Sequence, residues 1–314
     1  MAKTQGEKTS TGKSVAEFEV TSGITLSRTL VPTLPPNYLS RKHLFSLLEH
    51  PAPSTTVLIA PAGYGKTSLV AEWALAHRDR VIWLTITESD SLEDMSALFI
   101  QATRNIIPNF AMWFEREPGV RPVEIVRRWG NELLAIGGDF IFVIDNLREH
   151  TSRDVDIATR LVEQFPPNIQ FVTIRRDTLE TVYATFSSRG PLRVIGASDL
   201  AFTNNEIATL AAMHKIAYDD EEIRESLGAA HGWPAAVSML VHQISKNKKP
   251  VDFEKLVSSQ SEPLRALAVS VINSLDDKTR EIITSLSVVQ EFSHGQAEVI
   301  LEDAYSYDQI NQIA

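Results

Sequence analysis

The stretch "APAGYGKTS", residues 60–68, decides the fold, and it directly follows the apolar run "TTVLI" at residues 55–59. A phosphate-binding loop of the Walker A type reads G-x-x-x-x-G-K-[ST], and here Ala60 stands at the first glycine position. Glycines at positions 63 and 65 let the backbone turn around an anion, because glycine adopts positive φ at low cost. With "TSLVAEWALAH" as an amphipathic helix after it, the stretch predicts a strand, a phosphate loop and a helix in succession.

Each residue of this loop has its own predicted role. Successive backbone N–H groups would form a concave nest for an anion, at the positive end of the helix that starts near Lys66. Lys66 would reach the β- and γ-phosphates, and the hydroxyl of Thr67 would bind Mg²⁺. The predicted nucleotide-contacting set is Ala62, Gly63, Tyr64, Gly65, Lys66, Thr67 and Ser68. The alternative, an ordinary glycine-rich turn, is disfavoured by Lys-Thr at the helix start.

A second metal ligand is predicted at Asp145, at the end of "FIFVID". An acidic residue that follows five apolar residues lies at the carboxyl end of a buried strand, where a P-loop protein places the carboxylate that holds Mg²⁺. The alternative is an aspartate that merely ends a strand.

Composition favours a cytoplasmic protein with no membrane partner. Hydrophobic residues make up 43% of the 314 residues, and the formal net charge is −10. An acidic balance argues against direct binding of nucleic acid or of acidic membranes. Cysteine is absent, which suits the cytosol. The N-terminus lacks the apolar core of a signal peptide, and no apolar run is long enough to span a bilayer.

Short β-branched runs alternate with helical patterns as far as Gly196, which predicts an α/β fold with a parallel sheet flanked by helices. The predicted strands are "TTVLIA", "RVIWLTI", "DFIFVID", "IQFVTIR" and "LRVIG", and the helices between them fall at 66–77, 93–106, 121–136 and 153–164. After Gly196 only helices are predicted. Thr203 and Glu206 form a capping box, and further helices are expected at 219–230 and 233–245.

Four stretches resemble the STAND ATPases, in particular the large MalT-like regulators of the LuxR family: "APAGYGKTSLVAEWA", "WLTITESDS", "LAFTNNEI" and "HGWPAAVSML". The resemblance covers residues from about 34 to 314. It implies a switch that holds ADP at rest and ATP with Mg²⁺ when active, and that self-associates in the full-length protein when ATP is bound. It also implies a tail at 1–33, a P-loop nucleotide-binding domain at 34–200, an all-α helical domain at 201–250 and the start of a winged-helix domain at 251–314.

The resemblance assigns roles to matching residues. Lys66 and Thr67 match the phosphate and Mg²⁺ positions, and Asp145 matches the Walker B aspartate. In "FVTIRRD", Arg176 matches the arginine that contacts the γ-phosphate, and Arg175 is the alternative because the register can slip by one residue.

Two further segments would enclose the base and sugar. In "GWP", Pro234 matches a proline that packs near the adenine or sugar, although proline also suits the first turn of any helix. In "YLSRKHL", Arg41 and Leu44 match the segment that lies over the base, with Tyr38 nearby; simple helix packing is the alternative.

Asn146 departs from the family pattern, which has a second acidic residue there that polarises the attacking water. Asn accepts no proton, so hydrolysis is expected to be slow and the chain at most a weak ATPase. Glu88 and Glu149 are the candidate replacements, and the predicted catalytic set is Lys66, Asp145, Arg176 and Glu88.

These expectations together predict the adenine-nucleotide switch of a signal-responsive transcriptional regulator. No direct DNA binding is expected of these residues, because the family's DNA reader lies elsewhere. Two alternatives remain: an AAA+-like ATPase motor, against which Asn146 counts, and a STAND scaffold or effector without a DNA-binding domain.

Overall fold

The structure is a computed structural model. It describes residues 25–87, 90–117, 119–146, 165–176, 186–187 and 190–253, together with 269, 272, 277–287, 296–297 and 300–301. The chain forms two compact units. The first contains Met1–Leu58, Thr67–Arg175 and Leu179–Ile195, and the second contains Ile59–Lys66, Arg176–Thr178 and Gly196–Ala314.

A five-stranded sheet forms the centre of the first unit, and its order is β2-β3-β4-β1-β5. The registered pairs β1–β5, β2–β3 and β3–β4 are all parallel. The strands are β1 Ser54–Ile59, β2 Val81–Thr85, β3 Phe140–Asp145, β4 Ile169–Arg175 and β5 Leu192–Ile195. The predicted α/β P-loop fold with a parallel sheet is thus confirmed, and all five predicted runs are strands.

Within the described residues, three helices accompany the sheet: α1 Lys66–Leu75, α2 Leu92–Arg104 and α3 Pro122–Ile136. Helix α2 begins with a capping box in which Ser91 and Asp94 exchange hydrogen bonds, and these bonds lower the pKa of the Asp94 carboxyl. Helix α3 has proline at its first position, where the missing N–H costs no hydrogen bond. The helix predicted at 153–164 lies outside the described residues.

An aromatic cluster fills the core of the first unit. Its neighbouring ring centroids lie 5.0–6.0 Å apart, and its members are Phe99, Trp129, Phe142, Phe165, Phe171 and Phe186. The one polar group of Trp129 is satisfied inside the cluster, because its indole N–H donates to the Thr103 hydroxyl over 2.7 Å. That hydroxyl in turn donates to the Phe99 carbonyl oxygen over 2.8 Å. The bond joins α2 to α3 between two fully buried side chains.

The N-terminal segment packs on this unit from residue 26 onward, inside the interval predicted as a tail. A short 3-10 helix covers Leu26–Thr29, and the Arg28 guanidinium donates to the Thr85 carbonyl oxygen and pairs with Asp90. A second 3-10 helix covers Lys42–Leu47, and no side chain caps it.

The second unit is helical in its described part beyond residue 196: α4 Ala197–Leu200, α5 Asn204–Met213, α6 Glu221–Gly228, α7 Pro234–Asn247 and α8 Asp277–Leu286. Thr203 and Glu206 form the predicted capping box of α5. Most of 251–314, where the winged-helix domain was predicted, lies outside the described residues. Across the described ranges, no helix is both long and apolar enough to cross a lipid bilayer.

Thr103→Val is expected to cost about 1–3 kcal/mol of unfolding free energy, because the buried Trp129 N–H loses its acceptor while the shape of the side chain is kept. In a Trp129→Phe background the same substitution should cost much less, since both polar partners are then removed. Urea denaturation of the four proteins measures the difference. Equal costs in the two backgrounds would show that the hydrogen bond contributes nothing.

Candidate nucleotide site

The predicted phosphate loop begins at Ala60, and the stretch Ile59–Lys66 belongs to the second compact unit. Lys66 is 7% exposed. Its ammonium donates to the carbonyl oxygens of Ala60 and Pro61, at 2.5 and 2.9 Å. The cation is therefore held at the start of the loop, on the backbone that a bound phosphate would approach.

The next two loop carbonyls also accept hydrogen bonds, and their donors come from the start of α7. The Trp233 indole N–H donates to the Ala62 carbonyl oxygen over 3.1 Å. The Ala235 backbone N–H donates to the Gly63 carbonyl oxygen over 3.0 Å. Residue 63 has φ +84°, and a Cβ there would lie 2.7 Å from both the Ala235 Cβ and the Trp233 Nε1. Glycine is therefore required at this position by conformation and by space.

The two stretches "LAFT" and "GWP" meet in the second unit. The Phe202 N–H donates to the Gly232 carbonyl oxygen over 2.7 Å. A Cβ at residue 232, where φ is +73°, would lie 2.7 Å from the Phe202 carbonyl oxygen. Pro234 is buried at the first position of α7, so the helix-start interpretation of this proline holds. Its contact with the adenine or sugar stays a prediction.

The two predicted Mg²⁺ ligands lie together in the first unit. The Thr67 hydroxyl lies 3.2 and 3.1 Å from the two carboxylate oxygens of Asp145, and Asp145 is 8% exposed. A hydroxyl and a carboxylate are hard oxygen ligands, and Mg²⁺ is commonly held by one or two protein oxygens plus phosphate and water. The residues therefore fit the ion, although the described part of the chain has no cluster of three or more His, Asp or Glu side chains that would hold a metal alone.

Asn146 has a structural role that the sequence did not indicate. Its φ is +65°, a left-handed conformation that asparagine tolerates better than most residues. Its side-chain amide donates to the Ile86 carbonyl oxygen over 3.1 Å, and the Ile86 N–H donates to the Asp145 carbonyl oxygen over 3.0 Å. Aspartate at 146 would be unable to donate, so asparagine ties the end of β3 to the residue after β2.

The remaining predicted catalytic residues are placed as follows. Arg175 is the last residue of β4 and is fully buried, while Arg176 follows it and is half-buried. The γ-phosphate role of Arg176 stays a prediction. Glu88 and Glu149 lie outside the described residues.

The segment predicted to lie over the base is held by Glu72 of α1, which sequence reasoning missed. The Glu72 carboxylate accepts hydrogen bonds from the Tyr38 hydroxyl, the Ser40 hydroxyl and the Arg41 N–H. Arg41 is 4% exposed, and Leu44 is half-buried. The only sequence signal for Glu72 is an acidic residue inside the apolar stretch "SLVAEWAL".

No protein-family model matches the chain. Curated relatives are the HTH-type transcriptional regulators MalT of Vibrio parahaemolyticus, 25% identical over 270 residues, and of Vibrio cholerae, 26% identical over 277 residues. Each match covers 82% of this chain and 30% of the relative. The chain therefore spans less than a third of the length of these regulators.

Among solved structures, a STAND protein with a tetratricopeptide repeat sensor from Pyrococcus horikoshii superposes with a TM-score of 0.52 at 14% identity. The superposition covers 92% of this chain and 40% of that protein, and it supports the fold. The MalT relatives match on sequence over most of the chain, and the predicted phosphate loop lies at residues 60–67. The chain is thus similar in sequence to the MalT regulators, and its fold is similar to that of a STAND protein.

Proposed function

We propose that this chain is the nucleotide-binding switch module of a signal-responsive transcriptional regulator, with ADP bound at rest and ATP with Mg²⁺ bound in the active form. The likeness to MalT regulators supports the regulatory class. In the full-length protein the ATP form self-associates, and DNA is contacted by parts of the regulator outside these residues.

The observation that carries the proposal is the Thr67–Asp145 pair, in which the hydroxyl lies 3.1–3.2 Å from the carboxylate oxygens. Thr67 directly follows Lys66 in the chain. Lys66 brings a positive charge to the β- and γ-phosphates, and Thr67 with Asp145 offers two oxygens to Mg²⁺. Bound Mg-ATP supplies the phosphoanhydride and the negative charge that these groups neutralise. Arg176 serves as the contact to the γ-phosphate.

Asn146 favours a signalling role over the ATPase motor. A general base typically contributes about 10²–10⁴-fold to the rate of a reaction, and the Asn146 amide is engaged as a donor to Ile86. Slow hydrolysis keeps the ATP form long enough to act as a signal. The chain is a weak ATPase in this proposal.

Adenine nucleotide, mainly ADP, is expected in freshly purified protein, because the loop N–H groups and Lys66 would hold its phosphates. Mass spectrometry of the denatured protein measures it. Lys66→Ala should weaken ADP binding about 10- to 100-fold, since a charge-assisted hydrogen bond contributes about 1.5–3 kcal/mol. Lys246→Ala removes the same charge from an exposed position on α7 and is the matched control. Equal calorimetric affinities of the two variants would refute the role of Lys66.

Thr67→Ala should reduce the gain in ATP affinity that Mg²⁺ provides, because one of the two protein oxygens near the ion is lost. Binding of ADP measured in excess EDTA should stay within about twofold of the wild-type value, because the phosphate loop itself is unchanged. Thr67→Ser keeps the hydroxyl and should keep the Mg²⁺ dependence. A Thr67→Ala protein with the full Mg²⁺ dependence would remove Thr67 from the metal site.

Asn146→Asp should speed single-turnover ATP hydrolysis by about tenfold or more, because it supplies a carboxylate beside Asp145. It should also lower the melting temperature, because the carboxylate cannot donate to Ile86. Wild-type turnover is expected well below about 1 s⁻¹, the lower end of ordinary enzyme rates.

Asn146→Gly is the control for this variant. Glycine accepts the left-handed backbone, loses the same hydrogen bond and supplies no carboxylate. If Asn146→Asp hydrolyses ATP no faster than Asn146→Gly, a missing base is not the reason for slow turnover.

A further inference from the structure

Four consecutive carbonyl oxygens of the phosphate loop accept hydrogen bonds within the second unit. The Lys66 ammonium donates to the carbonyl oxygens of Ala60 and Pro61. Two N–H groups at the start of α7 donate to those of Ala62 and Gly63. A turn that gives its N–H groups to an anion must satisfy its carbonyls elsewhere, because buried backbone groups are rarely left unpaired. The loop therefore depends on two separate sources of donors.

These two sources respond differently to a phosphate. A bound phosphate competes with the carbonyls of Ala60 and Pro61 for the Lys66 ammonium, since a phosphate oxygen is the stronger acceptor for a cation. The Trp233 indole N–H and the Ala235 N–H are neutral donors on a helix start, and they stay with Ala62 and Gly63. Ala62 and Gly63 thus keep their hydrogen bonds to α7 even when the Lys66 ammonium binds a phosphate.

The same contact also supplies a hydrogen-bond acceptor to the start of α7. The first N–H groups of any helix lack partners within the helix, and no side chain caps α7. The Gly63 carbonyl supplies the partner for the Ala235 N–H. The backbone just before Trp233 is itself hydrogen-bonded to Phe202, and two hydrogen bonds join residues 62–63 to the first turn of α7.

We propose that Trp233 is a positioning residue of the phosphate loop, and that the loop and the first turn of α7 respond together when phosphate binds. Trp233 contacts the loop backbone and acts on phosphate only through it. The response to phosphate rests on the proposed nucleotide binding, whereas the positioning of the loop by Trp233 does not.

Trp233→Phe tests the positioning role, because it keeps an aromatic ring and removes the N–H donor together with part of the indole. Trp113→Phe is the matched control, since the half-buried Trp113 donates its indole N–H to Glu132 over 3.1 Å in the other unit. In nucleotide-free protein, hydrogen exchange of the peptide spanning residues 60–66 should quicken about two- to tenfold in Trp233→Phe, the effect of one neutral hydrogen bond. It should be unchanged in Trp113→Phe. The dissociation constant for ADP should rise by a similar factor in Trp233→Phe alone.

The wild-type protein supplies the second measurement. Added ADP should slow exchange in the peptide at residues 60–66 and in the peptide that contains the Ala235 amide. Protection of the loop without protection of Ala235 would overturn the joint response. Unchanged loop exchange in nucleotide-free Trp233→Phe, or exchange that quickens equally along the whole chain, would overturn the positioning role. If ADP protects neither peptide, the nucleotide proposal and the joint response both fail, while the nucleotide-free comparison still decides the role of Trp233.

Discussion

The structure depends above all on how the phosphate loop satisfies its own carbonyls. A loop that offers N–H groups to an anion turns its peptide oxygens the other way, and each buried oxygen needs a donor. Here the Lys66 ammonium and the start of α7 divide that task between them. The loop sequence and the "GWP" sequence are two parts of one structural requirement.

The two predicted Mg²⁺ ligands are held by an equally local constraint. Asp145 ends β3 between two parallel neighbours, with Thr85 of β2 and Ile174 of β4 as register partners. The hydrogen bonds among Asp145, Ile86 and Asn146 hold the backbone immediately after it. The carboxylate is therefore oriented before any ligand arrives, and its Thr67 partner is set by the first turn of α1. Such preorganisation lowers the cost of ordering side chains on binding.

Local patterns predicted most of the sheet and the centre of the site. Five β-branched runs, the Walker loop and the Thr203–Glu206 box each carry their information within a few residues. The missed features are contacts between residues distant in sequence: Glu72 with the segment at 38–41, and Trp233 with Ala62. The periodicity of a helix shows which face is apolar, but not which single polar group on it meets a distant backbone. Asn146 was interpreted as a loss of chemistry because its donor role to Ile86 appears only in three dimensions.

A nucleotide acts as a signal only if its contacts differ between two conformations of the protein. Lys66 is the residue best suited to make that difference, because its ammonium is within hydrogen-bonding distance of two loop carbonyls and is also the expected partner of the phosphates. When this cation moves from the backbone to a phosphate, the loop carbonyls lose two charge-assisted hydrogen bonds. Trp233 and Ala235 remain attached to the adjoining carbonyls and so connect that change to α7. In the proposed switch, the free energy for the conformational change comes from nucleotide binding, and hydrolysis only ends the ATP-bound state.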